Sequence, residues 1–309
     1  MAERVEVTFT SGEARCAAWL YRPSGEGDAD GDDAAGAVPI VVMGHGLGAV
    51  REMRLDAYAE RFVAAGLAVL VFDYRHFGDS EGEPRGLLDI KLQLADWSAA
   101  IAFARTIEGV DPERVALWGS SFGGGHVIEA AARDPRVAAV VSQCPFTDGL
   151  ASMNTAPLRT RVKLTARALR DLLAKLLGRP PVRVALAGPP GSTALMSAPD
   201  ADDGYTRLGG AHGPEGTVAA RIGIHLAFYR PGRAAARVHC PMLICVCEHD
   251  TLAPASAARR AGARAPHADV YNYPIRHFDI YFDEAFEHAV ADQVEFLRGN
   301  LLGNGGERA

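Results

Sequence analysis

Hydrophobic residues along this chain follow two alternating patterns. Short apolar runs are typical of buried strands, whereas longer segments with apolar residues every three or four positions are typical of helices packed on one face. The predicted strands are Val5–Thr10, Cys16–Tyr21, Pro39–Met43, Ala68–Phe72, Val115–Trp118, Val137–Gln143, Met242–Cys247 and Asp269–Tyr273. The predicted helices are Leu55–Ala65, Leu87–Thr106, Phe122–Ala132, a short helix after Pro254 and a closing helix with Phe286, Val290, Val294 and Leu297 on one face. This alternation predicts an α/β fold in which a mostly parallel central sheet carries helices on both faces and begins with an antiparallel pair.

The strand and helix pattern breaks after Cys144-Pro145 and resumes about ninety residues later. The interrupting segment has a predicted helix over Pro157–Leu177, followed by Gly- and Pro-rich joints at Gly178–Gly191 and Gly209–Gly216. An insertion between two strands of one sheet is typical of a cap over the carboxyl edge, where open α/β sheets bind ligands. We therefore expect residues 1–145 and 240–309 to form the core and residues 146–239 a helical cap or lid.

The predicted cap helix is rich in positive charge. Its basic residues are Arg159, Arg161, Lys163, Arg167, Arg170 and Lys175, against the single acid Asp171. One interpretation is a solvated surface that offsets an acidic body. The other is attraction of an anionic or phosphate-bearing substrate.

Composition narrows the classes of function. The 309 residues fall between one enlarged domain and two small ones; 48% are hydrophobic and 23% charged, which is typical of a globular core and excludes collagen, coiled coil and disorder. A net charge of −6 offers no bulk positive field for nucleic acid or an anionic membrane. We expect a small-molecule partner, and homo-oligomerisation is left open.

The compartment and the acidic N-terminal region give two further expectations. No stretch of about eighteen apolar residues occurs and Met1–Thr10 lacks a signal-peptide core, so a cytoplasmic location is expected. The segment Ser24–Gly36 is predicted to be a solvated loop, because its acidic residues lack the spacing of an EF-hand calcium site.

The cysteines are expected to be reduced core residues. Cys16, Cys144, Cys240, Cys245 and Cys247 are odd in number, lack a C-x-x-C pair and lie mostly in apolar runs. Cys245 and Cys247 would share one face of a strand, but no matching His/Cys pair lies at ligand spacing. We therefore expect neither a metal nor an organic cofactor.

A G-x-S-x-G motif at Gly119, Ser121 and Gly123 lies between a predicted strand and a predicted helix. This context is typical of a nucleophile elbow, a sharp turn that exposes the serine hydroxyl and needs glycines on either side for close packing. The Phe122 amide, at the helix N-terminus, can then face a developing oxyanion. Ser120 is the alternative nucleophile, although the glycine spacing centres on Ser121, and a Gly-rich loop with an incidental serine is the other alternative.

A nucleophilic serine needs a base, and that base needs an orienting acid. Asp250 follows the predicted strand Met242–Cys247, and His277 follows Asp269–Tyr273. The order Ser121, Asp250, His277 is the serine, acid, histidine order of one fold in particular.

Over nearly its whole length the chain resembles the α/β-hydrolases, in the style of serine esterases, dienelactone hydrolases and acyl-peptidases. The resemblance rests on Gly44-His45-Gly46-Leu47-Gly48 after the third strand, the segment Phe72–Gly82, the elbow, the insertion, the acid loop and the histidine loop. It implies Ser121 as nucleophile, His277 as base and acid, and Asp250 as the orienting carboxylate. The Leu47 amide would be the second donor of the oxyanion hole, paired with that of Phe122. The implied reaction is hydrolysis of a carboxylic ester, with a thioester as the alternative and amide, lactone or carbon–carbon cleavage left open.

Other residues near these motifs could carry the chemistry instead. His126, His249 and His288 are expected to be structural, Asp148 and Asp279 are the fallback acids, and Cys144 is expected in the pocket wall rather than as nucleophile.

Two other classes of function compete with hydrolysis. The run Gly44–Ala49 also fits G-x-G-x-x-A after a strand, and Asp73 could bind a ribose, as in a dinucleotide-binding oxidoreductase. That reading leaves Ser121, Asp250 and His277 unexplained. A non-catalytic, ligand-sensing relative of the hydrolases is the other alternative.

Overall fold

The strands of the protein divide between a large sheet and a small one. The computed structural model describes residues 3–23, 37–211 and 216–303. In chain order its strands are β1 (Glu3–Ser11), β2 (Ala14–Arg22), β3 (Val38–Gly44), β4 (Ala68–Phe72), β5 (Val110–Ser120), β6 (Ala139–Gln143), β7 (Arg183–Ala187), β8 (Ala194–Met196), β9 (Thr217–Ala219), β10 (Met242–Cys247) and β11 (Ala268–Tyr273). The loop predicted at Ser24–Gly36 lies outside the described residues.

Helices surround and interrupt the large sheet. They are α1 (Leu55–Ala64), α2 (Ile90–Ala104), α3 (Phe122–Ala131), α4 (Gly149–Met153), α5 (Leu158–Leu176), α6 (Ala201–Arg207), α7 (Ile222–Phe228), α8 (Ala255–Gly262), α9 (Asp283–Leu301) and the 3₁₀ turns Pro231–Arg237 and Asp279–Tyr281. In the part of the chain that the structure describes, every helix is too short or too polar to cross a bilayer.

The large sheet confirms the predicted α/β fold class. Its strand order is β1-β2-β4-β3-β5-β6-β10-β11; β1 pairs antiparallel with β2 and β2 with β4, and the other pairs are parallel. The central strands are apolar along their length because helices cover both faces, as in β4, where every residue is buried. The helix predicted at Leu87–Thr106 is shorter, since Asp89 caps α2 by accepting hydrogen bonds from the Lys91 and Leu92 amides.

The chain order of the sheet brings distant loops together. The carboxyl ends of β3, β5, β10 and β11 lie at one edge, because these strands run parallel in one sheet, with β6 between β5 and β10. The segments that follow them carry Leu47, Ser121, Asp250 and His277. The topology therefore collects these predicted site positions at the edge where open α/β sheets bind ligands.

Between β6 and β10 the chain forms α4 to α7 and a second, three-stranded sheet in the order β8-β7-β9. Strand β7 pairs parallel with β8 and antiparallel with β9. The sequence predicted a flexible joint over Gly178–Gly191, and this prediction is wrong for its centre, where β7 lies. Glycine and proline flank this strand but do not interrupt it. The segment was expected to be helical, but it also contains the strands β7, β8 and β9.

Helix α5 packs through its small and polar residues. Asp171 is buried, and its carboxylate accepts hydrogen bonds from the Val182 amide at 2.8 Å and from the Arg221 amide and Nε at 2.8 and 2.7 Å. Several large apolar residues of α5 are exposed; Leu169, for example, is 56% exposed, whereas Leu164 is half-buried. The buried ion pair between Asp171 and Arg221 is therefore a principal contact of this helix.

Candidate active site

Ser121 occupies a strained turn between β5 and α3. Its backbone has φ 55° and ψ −114°, outside the regions that non-glycine residues prefer. The Ser121 amide donates to the Gln143 carbonyl at 2.9 Å, and the Ser121 carbonyl accepts from Phe146 at 2.8 Å. These bonds to the end of β6 and the start of the insertion hold the turn in place, as expected for a nucleophile elbow.

The flanking glycines are required by close backbone contacts. A Cβ on Gly119 would lie 2.2 Å from the Gly123 carbonyl oxygen, and a Cβ on Gly123 would lie 2.5 Å from the His45 carbonyl oxygen. Each of these atoms belongs to the backbone and cannot move aside cheaply. The G-x-S-x-G spacing is therefore explained by packing of the elbow against β3 and α3.

The structure brings Ser121, His277 and Asp250 into one hydrogen-bonded chain. His277 Nε2 lies 3.0 Å from Ser121 Oγ, and His277 Nδ1 lies 2.6 Å from Asp250 Oδ2. The other carboxylate oxygen of Asp250 accepts from the Leu252 and Ala253 amides at 2.8 and 2.7 Å. A carboxylate fixed in this way places the proton of His277 on Nδ1 and leaves Nε2 free to accept from the serine.

The electrostatics of His277 follow from burial and from its neighbours. Burial by itself lowers the pKa of this imidazole, but the adjacent Asp250 carboxylate, together with Cys144 and Asp200, outweighs burial and raises the pKa to about 9. Both side chains are 2% exposed, so water does not screen their attraction. The arrangement stabilises an imidazolium, the state in which His277 would hold the serine proton.

The turn after β3 lies against Ser121. A Cβ on Gly46 would lie 2.9 Å from Ser121 Cβ, so glycine allows this approach. His45 holds the turn: Nδ1 accepts from the Gly46 amide at 2.7 Å, and Nε2 is 2.7 Å from the Met53 carbonyl oxygen. Burial lowers the pKa of His45 to about 4, so the ring is neutral and Nε2 donates. This role of His45 was missed from the sequence, although the motif contained it.

Leu47 and Phe122, the two predicted oxyanion donors, line the same cavity as Ser121. Phe122 begins α3, and the first amides of a helix have no acceptor within the helix. The geometry can thus offer backbone donors to a negatively charged oxygen next to the serine.

Ser120 and Cys144 lie beneath the elbow. Ser120 is fully buried and its hydroxyl hydrogen-bonds Tyr281 Oη and, at 3.1 Å, Gln143 Nε2. Cys144 Sγ lies 3.5 Å from Ser120 Oγ. Among the described residues, Cys144 does not line the cavity, so the prediction that it forms part of the pocket wall is wrong. The buried Ser120 anchors the elbow to the segment after His277 through Tyr281.

The remaining candidate residues have partners other than Ser121 Oγ. His126 is buried between Tyr229 Oη and Gln93 Oε1, and burial lowers its pKa to about 3. Asp148 caps α4 and pairs with Arg230, while Asp279 accepts from the Arg276 amide. His249 donates its amide to Ile275, and His288 is exposed on α9 near Glu284.

Asp73 has a structural partner. It is buried, accepts from the Arg51 amide at 2.7 Å and forms an ion pair with the Arg51 guanidinium. Burial raises the pKa of Asp73 to about 6, against the lowering effect of Arg51. The carboxylate that a dinucleotide site would need for ribose is thus engaged inside the protein, which removes the support for that alternative.

A cavity of about 530 Å³ opens beside Ser121. Its walls are largely apolar and come mostly from the segment between β6 and β10, including Phe146, Met153, Pro157, Leu164, Leu195, Met196 and Leu226. Leu252 and Ala253, which bind Asp250, complete the wall. Of the six basic residues on α5 only Arg161 lines the cavity; the other five are exposed, in agreement with a solvated surface.

Across residues 3–23, 37–211 and 216–303, no group of three or more His, Cys, Asp or Glu side chains is arranged to hold a metal ion.

Comparison with known proteins agrees with this geometry. A family model described as serine aminopeptidase, S33, matches residues 36–277. The quorum-quenching protein AidA of Acinetobacter baumannii (strain MDR-ZJ06) is 51% identical over 296 residues, which cover 95% of this chain and 94% of that protein. The thiohydrolase aneE of Aspergillus aculeatus is 43% identical over 110 residues, 36% of this chain and 35% of that one. A solved structure of DcsB in complex with its substrate analogue has a TM-score of 0.80 and 26% identity, covering 98% of this chain and 100% of that chain.

Proposed function

Since this chain belongs to the serine aminopeptidase S33 family of the α/β hydrolases, we propose that it is a serine hydrolase that cleaves a carboxylic ester through an acyl-enzyme. One observation carries the proposal: Ser121, His277 and Asp250 form a continuous hydrogen-bonded chain whose serine end opens on an apolar cavity. A buried imidazole between a carboxylate and a hydroxyl is the arrangement that activates a serine for attack.

The proposed reaction has two halves. Ser121 Oγ attacks the ester carbonyl carbon while His277 Nε2 takes the serine proton, and the same proton then passes to the leaving alcohol as the acyl–oxygen bond breaks. In the second half water attacks the acyl-enzyme, His277 takes a proton from that water and returns it to Ser121 Oγ. Asp250 keeps the ring oriented and stabilises its positive charge throughout.

The negative charge on the tetrahedral intermediate also needs donors. We assign this role to the Phe122 and Leu47 amides, which flank Ser121 at the start of α3 and after the turn that His45 holds. Because these are backbone groups fixed by the fold, they need no reorganisation when charge develops.

The segment 146–239 is proposed as the cap of a core formed by residues 1–145 and 240–309. It supplies most of the cavity wall, so the apolar acyl group of the substrate would contact it. An ester with a medium-length acyl chain suits a cavity of about 530 Å³ with largely apolar walls.

A thioester is the second candidate substrate, because a relative named as a thiohydrolase matches part of the chain and the same groups can attack either carbonyl. The relative named for quorum quenching matches nearly the whole chain, which makes degradation of a quorum signal a candidate role. That role requires the signal to carry an ester, lactone or thioester bond.

Fluorophosphonate labelling and a substrate screen test the proposal together. The wild-type protein should bind one fluorophosphonate per chain and hydrolyse p-nitrophenyl esters, with acyl thioesters and acyl lactones screened in parallel. Ser121→Ala should lose labelling and at least about 10³-fold in kcat. Ser256→Ala, an exposed serine on α8, is the matched control and should behave as wild type. Equal labelling of Ser121→Ala and wild type would overturn the assignment of the nucleophile.

A further inference from the structure

The apolar cavity contains one cationic side chain. Of the described residues that line it, Arg161 is the only charged one, and no acidic side chain is present among them to balance it. A guanidinium beside apolar walls is costly unless an acceptor approaches it. Arg161 lies in the first turn of α5, and its neighbours on the exposed face, such as Arg159 and Lys163, are also basic.

Two polar atoms of cavity-lining residues lack hydrogen-bond partners among the described residues. Arg161 Nε and Ser152 Oγ are shielded from solvent, and neither has a hydrogen-bond partner within the described chain. Ser152 comes from α4 and Arg161 from α5, so two separate elements bring them to one cavity. We call this pair the polar subsite.

The polar subsite is held in place by its surroundings. Arg161 Nη1 donates to Asn154 Oδ1 at 3.0 Å, which restricts the guanidinium. Thr155 Oγ1 donates to the Ser152 carbonyl at 2.8 Å and fixes the end of α4. The hydrogen bond from Nη1 therefore holds the guanidinium in place and leaves its Nε–H group without an acceptor.

The chemistry of these groups selects the ligand. A guanidinium only donates hydrogen bonds, so an ammonium group or another donor cannot satisfy Arg161 Nε. A hydroxyl can donate as well, so each of the two groups can bind an oxygen acceptor. Carbonyl and carboxylate oxygens match this requirement, and a carboxylate also balances the charge.

We propose that the polar subsite binds a second carbonyl or carboxylate oxygen on the acyl chain of the substrate, distant from the bond that is cleaved. This inference rests on the proposed serine hydrolase function and names the substrate class for it: acyl groups that are apolar along most of their length and carry one further oxygen acceptor. Arg161 and Ser152 are then specificity residues, and Ser121 remains the reacting group.

Chain-length-matched substrates test the proposal. The plain series is p-nitrophenyl hexanoate, octanoate and decanoate. The carboxylate series is the mono-p-nitrophenyl esters of adipate, suberate and sebacate, and the ketone series carries a terminal methyl ketone at the same lengths. The wild-type protein should prefer a carboxylate or ketone substrate over the plain ester of equal length at one length or more, and the preferred series identifies the acceptor.

Variants separate recognition from catalysis. Arg161→Met should lower kcat/KM for the preferred oxygen-bearing ester by about 10- to 100-fold, mainly through KM, and change the plain esters by less than about threefold. Ser152→Ala should lower the same preference to a smaller extent, and Arg161→Lys should restore part of it. Arg159→Met, on the exposed face of α5, is the matched control and should change neither series.

The negative outcomes are distinct. Two results would overturn the polar subsite alone. One is that the wild-type protein hydrolyses all three series equally at every length. The other is an equal loss of kcat/KM on all three series in a folded Arg161→Met variant that still reacts with fluorophosphonate. Failure of the wild-type protein to hydrolyse any ester or to react with fluorophosphonate would instead overturn the proposed function.

Discussion

His277 and Asp250 are bound to each other at 2.6 Å with both side chains almost completely shielded from water. The two residues come from loops after β10 and β11, neighbouring strands of the sheet. Because the pair is buried, the carboxylate acts on the imidazole with little screening, and this coupling leads to a prediction about pH.

Asp250→Asn should reduce kcat by about 10³- to 10⁴-fold and move the acidic limb of the kcat/KM profile to lower pH. In the wild-type protein burial lowers the pKa of His277, but Asp250, with smaller contributions from Cys144 and Asp200, raises it to about 9, so the neutral base is regained only as pH rises through that value. Removing the carboxylate leaves burial as the main influence, and the pKa of His277 falls. Stopped-flow or steady-state profiles against pH measure both effects.

Asp148→Asn is the control for that profile, because Asp148 caps α4 and pairs with Arg230. Its acidic limb should coincide with that of the wild-type protein. If Asp148→Asn lost most of its kcat while Asp250→Asn kept a kcat close to that of the wild-type protein, Asp148 and not Asp250 would be the orienting acid.

Gly123→Ala should disrupt the elbow. The added Cβ would lie 2.5 Å from the His45 carbonyl oxygen and 2.7 Å from that of Gly44, so β3 and α3 must separate. We expect a loss of about 1–3 kcal/mol in the free energy of unfolding together with slower fluorophosphonate labelling. Gly299→Ala on α9 meets no atom within 4 Å and should be neutral or stabilising by up to about 1 kcal/mol. Urea denaturation of the two variants makes the comparison, and equal stability would contradict the packing argument.

Leu164→Phe should shorten the preferred acyl chain. Leu164 lines the cavity, and the larger ring would occupy space beside Ser121 that a long acyl chain needs. Hydrolysis of p-nitrophenyl decanoate should fall about tenfold in kcat/KM, whereas p-nitrophenyl acetate should change by less than about twofold. Leu169→Phe adds the same volume on the exposed face of α5 and should leave both rates unchanged. An identical decrease for the two esters would show that the acyl chain binds elsewhere.

Asp171→Asn should destabilise the segment between β6 and β10. Its carboxylate binds the Arg221 guanidinium and two backbone amides while fully buried, and the amide would leave Arg221 without its counter-ion. A loss of about 3 kcal/mol is expected from urea denaturation. The exposed Asp203→Asn should stay within about 0.5 kcal/mol of wild type. No difference between these two variants would mean that the ion pair does not hold α5.

The sequence was sufficient to predict the large sheet and the location of the candidate site. Parallel strands that are covered on both faces have continuous apolar sequences. The strand Met242–Cys247 was predicted from such a run with its observed bounds. The elbow was predictable because backbone contacts at Gly119 and Gly123 admit no side chain.

The insertion was less predictable for a physical reason. Strands β8 and β9 have three residues each, too few for a periodic signal, and β7 lies within a Gly- and Pro-rich stretch. The spacing of the leucines predicted helix α5 but not which of its faces is buried, because Asp171, paired with Arg221, and the alanines pack inward. The position of Arg161 in the cavity depends on that packing and could not be derived from spacing.

The sheet topology has a consequence for synthesis of the protein. Strand β6 lies between β5 and β10, yet β10 leaves the ribosome about a hundred residues after β6. Until then β6 is an edge strand with unpaired backbone groups and an apolar surface, which is a template for pairing with other chains. A nascent chain that stops before β10 would also lack Asp250 and His277. Strand β10, which precedes Asp250, covers the edge of β6, and β11, which precedes His277, then covers β10. Protection of the sheet edge and assembly of the site therefore both depend on the last two strands to be synthesised.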